Sequence, residues 1–380
     1  MTTGKPTVVL QEEGMREGMQ IESADIPVAE KIRLLDALSK TGLKRIIVGA
    51  FVSPKWVPQM ARVEEVIEGF TPVDGVQYTA IVLNPKGAER RAAYGHKLTL
   101  PDPTLGRTKV HLCDVFVRRN INRSQADEID SIPQAIEAAR AAGATRAEIS
   151  INAAWGSNWL GQFDEDERMR LLQLQYDAWS AAGIPVTQIH LGDPMSWNTP
   201  AAVRSMFRRI LATWPEVRDF HLHLHDARGM AMLSAYTAIQ ELDERHTLLL
   251  DTAIGGMGGC PYCGNGRATR MIPTEDFAHL MEAEGIETGL DVAALVEAGV
   301  IAQEVVGHEL WSKVTAAGPR PTGRDVYPMD MPFVETFEQA QHFRLGPSVY
   351  EGALSPWRQP VRSTARDEYE ARLAAQEEKA

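Results

Sequence analysis

The chain is poor in cysteine. Three thiols in 380 residues, Cys113, Cys260 and Cys263, cannot build a disulfide framework, which points to a reducing compartment. Basic residues are also scarce: 39 Lys and Arg stand against 51 Asp and Glu, a formal net charge of -12, so no general phosphate-binding surface for nucleic acid is expected. Nowhere does an apolar run reach the roughly 18 residues of a membrane span, and "MTTGKPTVVLQ" has no signal-peptide core. These absences together predict a cytoplasmic protein with no nucleic-acid or membrane partner. A Gly-x-Gly-x-x-Gly after the first strand is missing as well, which weakens a doubly wound dinucleotide fold.

What the sequence does have is rhythm. Short β-branched or apolar runs alternate with longer amphipathic stretches: "TVVLQEE" before "VAEKIRLLDALSKTG", "RIIVGAF" before "PQMARVEEVIEGF", and so on to "HTLLLDTAIGG" before "TEDFAHLMEAEG". Eight such units, with Gly42, Gly143 and Gly183 placed as helix C-caps leading into strands, predict a (β/α)8 TIM barrel over residues 1–304. From 305 to 380 the pattern changes to Pro, Gly and aromatics, and this C-terminal extension is expected to pack on the barrel or at a subunit interface.

In such a barrel the chemistry lies at the carboxyl ends of the strands. "HLHLHDARG" ends the seventh strand, and because side chains at i and i+2 point the same way, His223 and His225 project together as two cis ligands for a metal, with His221 deeper. Satisfied core histidines are the alternative. "EEGMREGMQ" ends the first strand and brings Arg16 and Glu17 to the same rim: Glu17 as an anionic ligand, Arg16 as a stabiliser of developing negative charge, or the two as a plain surface ion pair. After the eighth strand comes "GGMGGCPYCGNGRATR", whose glycines permit close approach to a ligand and whose Cys260 and Cys263 have Cys-x-x-Cys spacing. No second cysteine pair supports zinc.

With these residues in order, the chain resembles the 3-hydroxy-3-methylglutaryl-CoA lyase family of the DRE-TIM metallolyase superfamily, which also contains isopropylmalate and citramalate synthases. The resemblance rests on "REGMQ", "FVSPKWVPQM", "NINRS", "LGD", "HLHDARG" and "GGMGGCPY" and spans roughly residues 7 to 300. It implies a divalent cation, Mg²⁺ or Mn²⁺, held by Glu17, His223 and His225, with Asn265 as the one loop Asn available for a further ligand. It also implies Arg16 as enolate stabiliser, Cys260 as proton-transfer residue, and a retro-Claisen cleavage of a 3-hydroxyacyl-CoA. Gln20 and Asp193 fall at substrate-facing positions, and Arg118 and Arg119 in "VRRNINRS" are candidates for the CoA phosphates, with a solvated charged loop as the alternative.

Two departures bear on the substrate. Ile47 stands where the family has a glutamate, and the metal-binding Asp of the family is here the longer Glu17. His190 in "QIHLGD" replaces a small polar residue, so it takes over the lost carboxylate's role as proton acceptor, binds a different substrate carboxylate, or is a hydrogen-bonded core histidine. Because synthases share the enolate, a Claisen-type condensing enzyme remains a second reading. A barrel that binds metal or ligand without turnover is a third. The resemblance also implies a homodimer.

Overall fold

The computed structural model describes residues 4–260, 262–263, 270–326 and 363–378. Eight parallel strands form one sheet: β1 (Thr7–Glu12), β2 (Arg45–Phe51), β3 (Gln77–Val82), β4 (Leu105–His111), β5 (Arg146–Asn152), β6 (Val186–Asp193), β7 (Asp219–Leu224) and β8 (Thr247–Thr252). Their order is β3-β2-β1-β8-β7-β6-β5-β4, the cyclic order of a (β/α)8 barrel with one seam between β3 and β4. This is the predicted TIM-barrel fold, opened along a single line. At the seam the free edge of β4 is not left bare: the His111 amide donates to Glu128 Oε2 at 2.8 Å, from the helix Gln125–Asp130.

Local chemistry fixes the units. Asn84, Ser124, Asp164 and Thr199 each accept a backbone amide at a helix start, satisfying donors that the first turn leaves unpaired. Gly42, Gly143 and Gly183 all have positive φ where helices turn back into strands, as their spacing predicts. The outer faces of the strands pack against the helices; Trp179, fully buried, donates its indole N–H to Thr108 Oγ1 at 2.9 Å.

The first compact unit ends at Pro319 and a second begins at Arg320. Its described part is a turn at Gly323–Asp325 and the helix Thr364–Glu377, joined by an Arg324–Glu377 ion pair and by Tyr369 donating to the Gly323 carbonyl at 3.1 Å. Among the described residues no helix is long and apolar enough to cross a membrane.

Candidate metal-centred active site

β1 runs into a single wide, π-type helical turn, Gly14–Gly18, that carries Arg16 and Glu17 over the carboxyl end of the barrel. Two buried carboxylates hold this rim. Glu12 accepts the amides of Gly14 at 2.7 Å and Ile254 at 2.9 Å and the hydroxyl of Thr274, tying the loop after β1 to the loop after β8. Glu275 accepts the Gly255 amide at 3.0 Å and the Thr315 hydroxyl at 2.7 Å. Gly258 passes so close to Glu17 that a Cβ there would meet its Cγ at 3.1 Å, and its φ of +111° would strain any other residue.

His223 lies in β7 and His225 just beyond it, where a bridge to Met271 fixes the backbone. Their Nε2 atoms face each other at 3.2 Å, and His225 Nε2 lies 3.2 Å from Glu17 Oε1. One ligand atom from each of Glu17, His223 and His225 falls within 4.8 Å of the other two. Two ring nitrogens turned on one point beside a carboxylate fit a divalent ion, which replaces an awkward nitrogen-to-nitrogen contact by two coordinate bonds.

The charges around this point are interlocked. Arg16 pairs with Glu17 and lies 3.6 Å from Glu13. Burial pushes the Glu17 carboxyl up, but the Arg16 guanidinium and the His225 ring together hold it well below the usual carboxylate range. Burial raises Glu13 to about 8, with Arg16 opposing. Asp251, at the end of β8, accepts from His221 and His223 at 2.8 Å each and from Gln11 Nε2 at 2.7 Å. Burial would lower His223, yet the Asp251 carboxylate takes it to about 9 before any metal competes for its other nitrogen. A carboxylate on Nδ1 fixes the tautomer and aims Nε2 at the site.

Each residue singled out from the sequence has a definite place. Arg16, Glu17, His223 and His225 come together, with Cys260 half-buried and close enough to Arg16 to interact electrostatically. Gln20 sits half-buried on the turn Met19–Ile21. Asp193 is fully buried and accepts the Asn198 amide at 2.6 Å and its side chain at 2.7 Å, shaping the loop after β6. His190 is one layer below the ligands, its ring stacked on His221 with centroids 4.1 Å apart and its Nε2 buried without a partner among the described residues. Arg119 lies over the Trp159 ring at 5.4 Å, while Arg118 is engaged with Asp114 at 2.7 Å on the surface. Asn265 lies outside the described residues. Sequence reasoning missed Asp251, Gln11 and Glu13; a lone carboxylate closing the apolar run "TLLLD" was the available signal.

Fold and site together define a (β/α)8 barrel with a His and carboxylate group suited to a divalent ion at its mouth. The chain belongs to the HMGL-like family, whose model matches residues 7–301. It is 34% identical over 310 residues to the 3-hydroxy-3-isohexenylglutaryl-CoA/hydroxy-methylglutaryl-CoA lyase of Pseudomonas aeruginosa, covering 82% of this chain and 96% of that protein. The mitochondrial hydroxymethylglutaryl-CoA lyase of Bos taurus is 32% identical over 82% of this chain and 89% of its own. Among solved structures, an HMG-CoA lyase from Acinetobacter baumannii in complex with coenzyme A and 3-methylmalate superposes with a TM-score of 0.68 at 27% identity, over 86% of this chain and 99% of that one.

Proposed function

We propose that this lyase cleaves a 3-hydroxyacyl-CoA by a retro-Claisen reaction that depends on Mg²⁺ or Mn²⁺. The observation that carries the reading is the convergence of His223 Nε2, His225 Nε2 and a Glu17 oxygen within 4.8 Å of one another, in a chain of this family. A divalent ion held there would supply Lewis acidity to the substrate's hydroxyl and carbonyl oxygens.

The chain's own groups do the rest. Arg16, held by Glu13 and Glu17, presents a fixed positive charge to the enolate oxygen that develops as the carbon–carbon bond breaks. Cys260 delivers the proton that quenches the enolate carbon. His190 accepts the substrate hydroxyl proton: its Nε2 is buried without a partner among the described residues, and burial with the neighbouring His221 holds its pKa below the usual histidine value, which keeps the ring neutral. Gln20 and the Asp193 loop shape the acyl pocket, and Arg118 and Arg119 meet the CoA phosphates. A homodimer in the cytoplasm belongs to the same reading, and light scattering on the full chain tests the assembly.

The distinguishing variant is His190→Ala. It should lower kcat strongly while leaving bound metal unchanged; unchanged turnover would remove His190 from the mechanism. Cys260→Ser should slow proton transfer at the enolate carbon, read as slower exchange of the acyl-CoA product's α-hydrogens with solvent deuterium.

A further inference from the structure

The opposite end of the barrel holds a second feature, of which the reaction uses only the ceiling residue His190. A (β/α)8 barrel ordinarily fills its lumen with layers of branched apolar side chains. Here the register from β4 to β8 aligns Arg107, Glu148, Gln188, Asp219 and Thr247 in the lowest layer, and β1 to β3 set Gln11, Arg45 and Gln77 side by side. These side chains surround a cavity of about 650 Å³ with His190 and His221 in its ceiling. That volume suits a small organic molecule better than a bare ion.

The cations lining it are not equivalent. Arg107 faces Glu148 at 3.6 Å, Arg146 pairs with Asp102 at 2.8 Å, and Arg91 donates to the Ala80 carbonyl at 3.2 Å. The Arg45 guanidinium has no hydrogen-bond or ion-pair partner among the described residues, and its Nε is buried. Burial lowers its pKa, with Asp251 and Glu148 only attracting from a distance. An unpaired guanidinium whose Nε is shielded from water favours an anionic partner, and its fork matches a carboxylate with two parallel hydrogen bonds. Gln77, Gln188 and Thr79 line the same space, and none of their side chains is hydrogen-bonded among the described residues.

We infer that the amino end of the lumen binds a small organic carboxylate, gripped by Arg45, with Gln77, Gln188 and Thr79 meeting its remaining polar groups. Such a ligand acts as an effector. Gln11 and His221 form the ceiling and both bond to Asp251 Oδ1, while Asp251 Oδ2 holds His223, so occupancy is felt at the carboxyl-end site. The coupling rests on the reading of His223 as a ligand; the binding does not.

The test is calorimetric titration of acetate, succinate, citrate and inorganic phosphate into the full chain, its Arg45→Met variant and its His223→Ala variant. One carboxylate is expected to bind once per chain, at least tenfold more weakly to Arg45→Met and equally well to His223→Ala. Without ligand, Arg45→Met should cleave thioester within about twofold of the parent, and its Tm should equal or exceed the parent's, because it loses an unpaired charge. The inference is overturned if no carboxylate binds, if Arg45→Met binds as tightly as the parent, if phosphate alone binds, or if binding is lost in His223→Ala. A fall in Tm for Arg45→Met would instead assign Arg45 a structural role.

Discussion

The two ends of this barrel are built from the same eight strands and treat charge in opposite ways. At the carboxyl end Arg16, Glu17, His223 and Asp251 each face a partner within 3.2 Å or closer, and buried Glu12 and Glu275 tie the covering loops together. At the amino end the lumen is roomy and Arg45 stands without a partner among the described residues. The first arrangement is preorganised: its dipoles and charges are fixed before substrate arrives, which is where electrostatic catalysis gains most. The second waits for a ligand. Asp251 belongs to both, since one oxygen serves the ceiling of the lumen and the other orients His223.

The strongest way to break this contrast is to remove a fixed charge from the carboxyl end. Arg16→Gln should lower kcat by about 10²- to 10³-fold with little change in KM, because the contact matters in the transition state. Steady-state kinetics on the metal-loaded chain decide it; an equal rise in KM would mean that Arg16 only binds substrate. A smaller effect is expected at the shared residue. Asp251→Asn should weaken metal affinity by about 10- to 100-fold, the usual consequence of losing the carboxylate behind a ligating histidine, as read by competition with a chelating dye.

The mildest effect concerns the struts. Burial pushes Glu12 and Glu275 from the ordinary 4.5 to about 7 each, so between those values the folded chain keeps protons that the unfolded chain has released. The unfolded state then binds fewer protons, and stability falls as pH rises through this window. Their contribution is complete below about 4.5 and gone above about 7. Urea unfolding at several pH values should show this decline, and Glu275→Gln should flatten it. A stability that rises with pH across the same range in both chains would show that other carboxylates dominate.

Much of the carboxyl end was legible in the sequence because it is written in local spacing. His223 and His225 share a face by strand periodicity alone, and Arg16 and Glu17 follow directly on a strand end. The cyclic strand order follows from eight strand–helix units, three of them closed by Gly42, Gly143 and Gly183. Asp251 and Gln11 were not legible, because their meaning depends on which residues lie opposite across β7, β8 and β1, and register is set by the closed sheet rather than by any one segment. The seam between β3 and β4 is likewise a tertiary outcome. The polar lumen did leave a trace: Arg107 and Lys109, Glu148 and Ser150, Gln188 and His190, Asp219 and His221 alternate in strands that a fully packed parallel barrel would make almost continuously apolar.

The account's central claim is that Glu17, His223 and His225 hold the ion on which cleavage of a 3-hydroxyacyl-CoA depends. Its most direct test is to offer a panel of 3-hydroxyacyl-CoAs to chelator-stripped protein with and without Mg²⁺ or Mn²⁺, follow acyl-CoA products by mass, and repeat with His223→Ala. Cleavage of at least one thioester that appears only with added metal and vanishes in His223→Ala is the predicted result. Metal-independent cleavage, or full activity in His223→Ala, would contradict it.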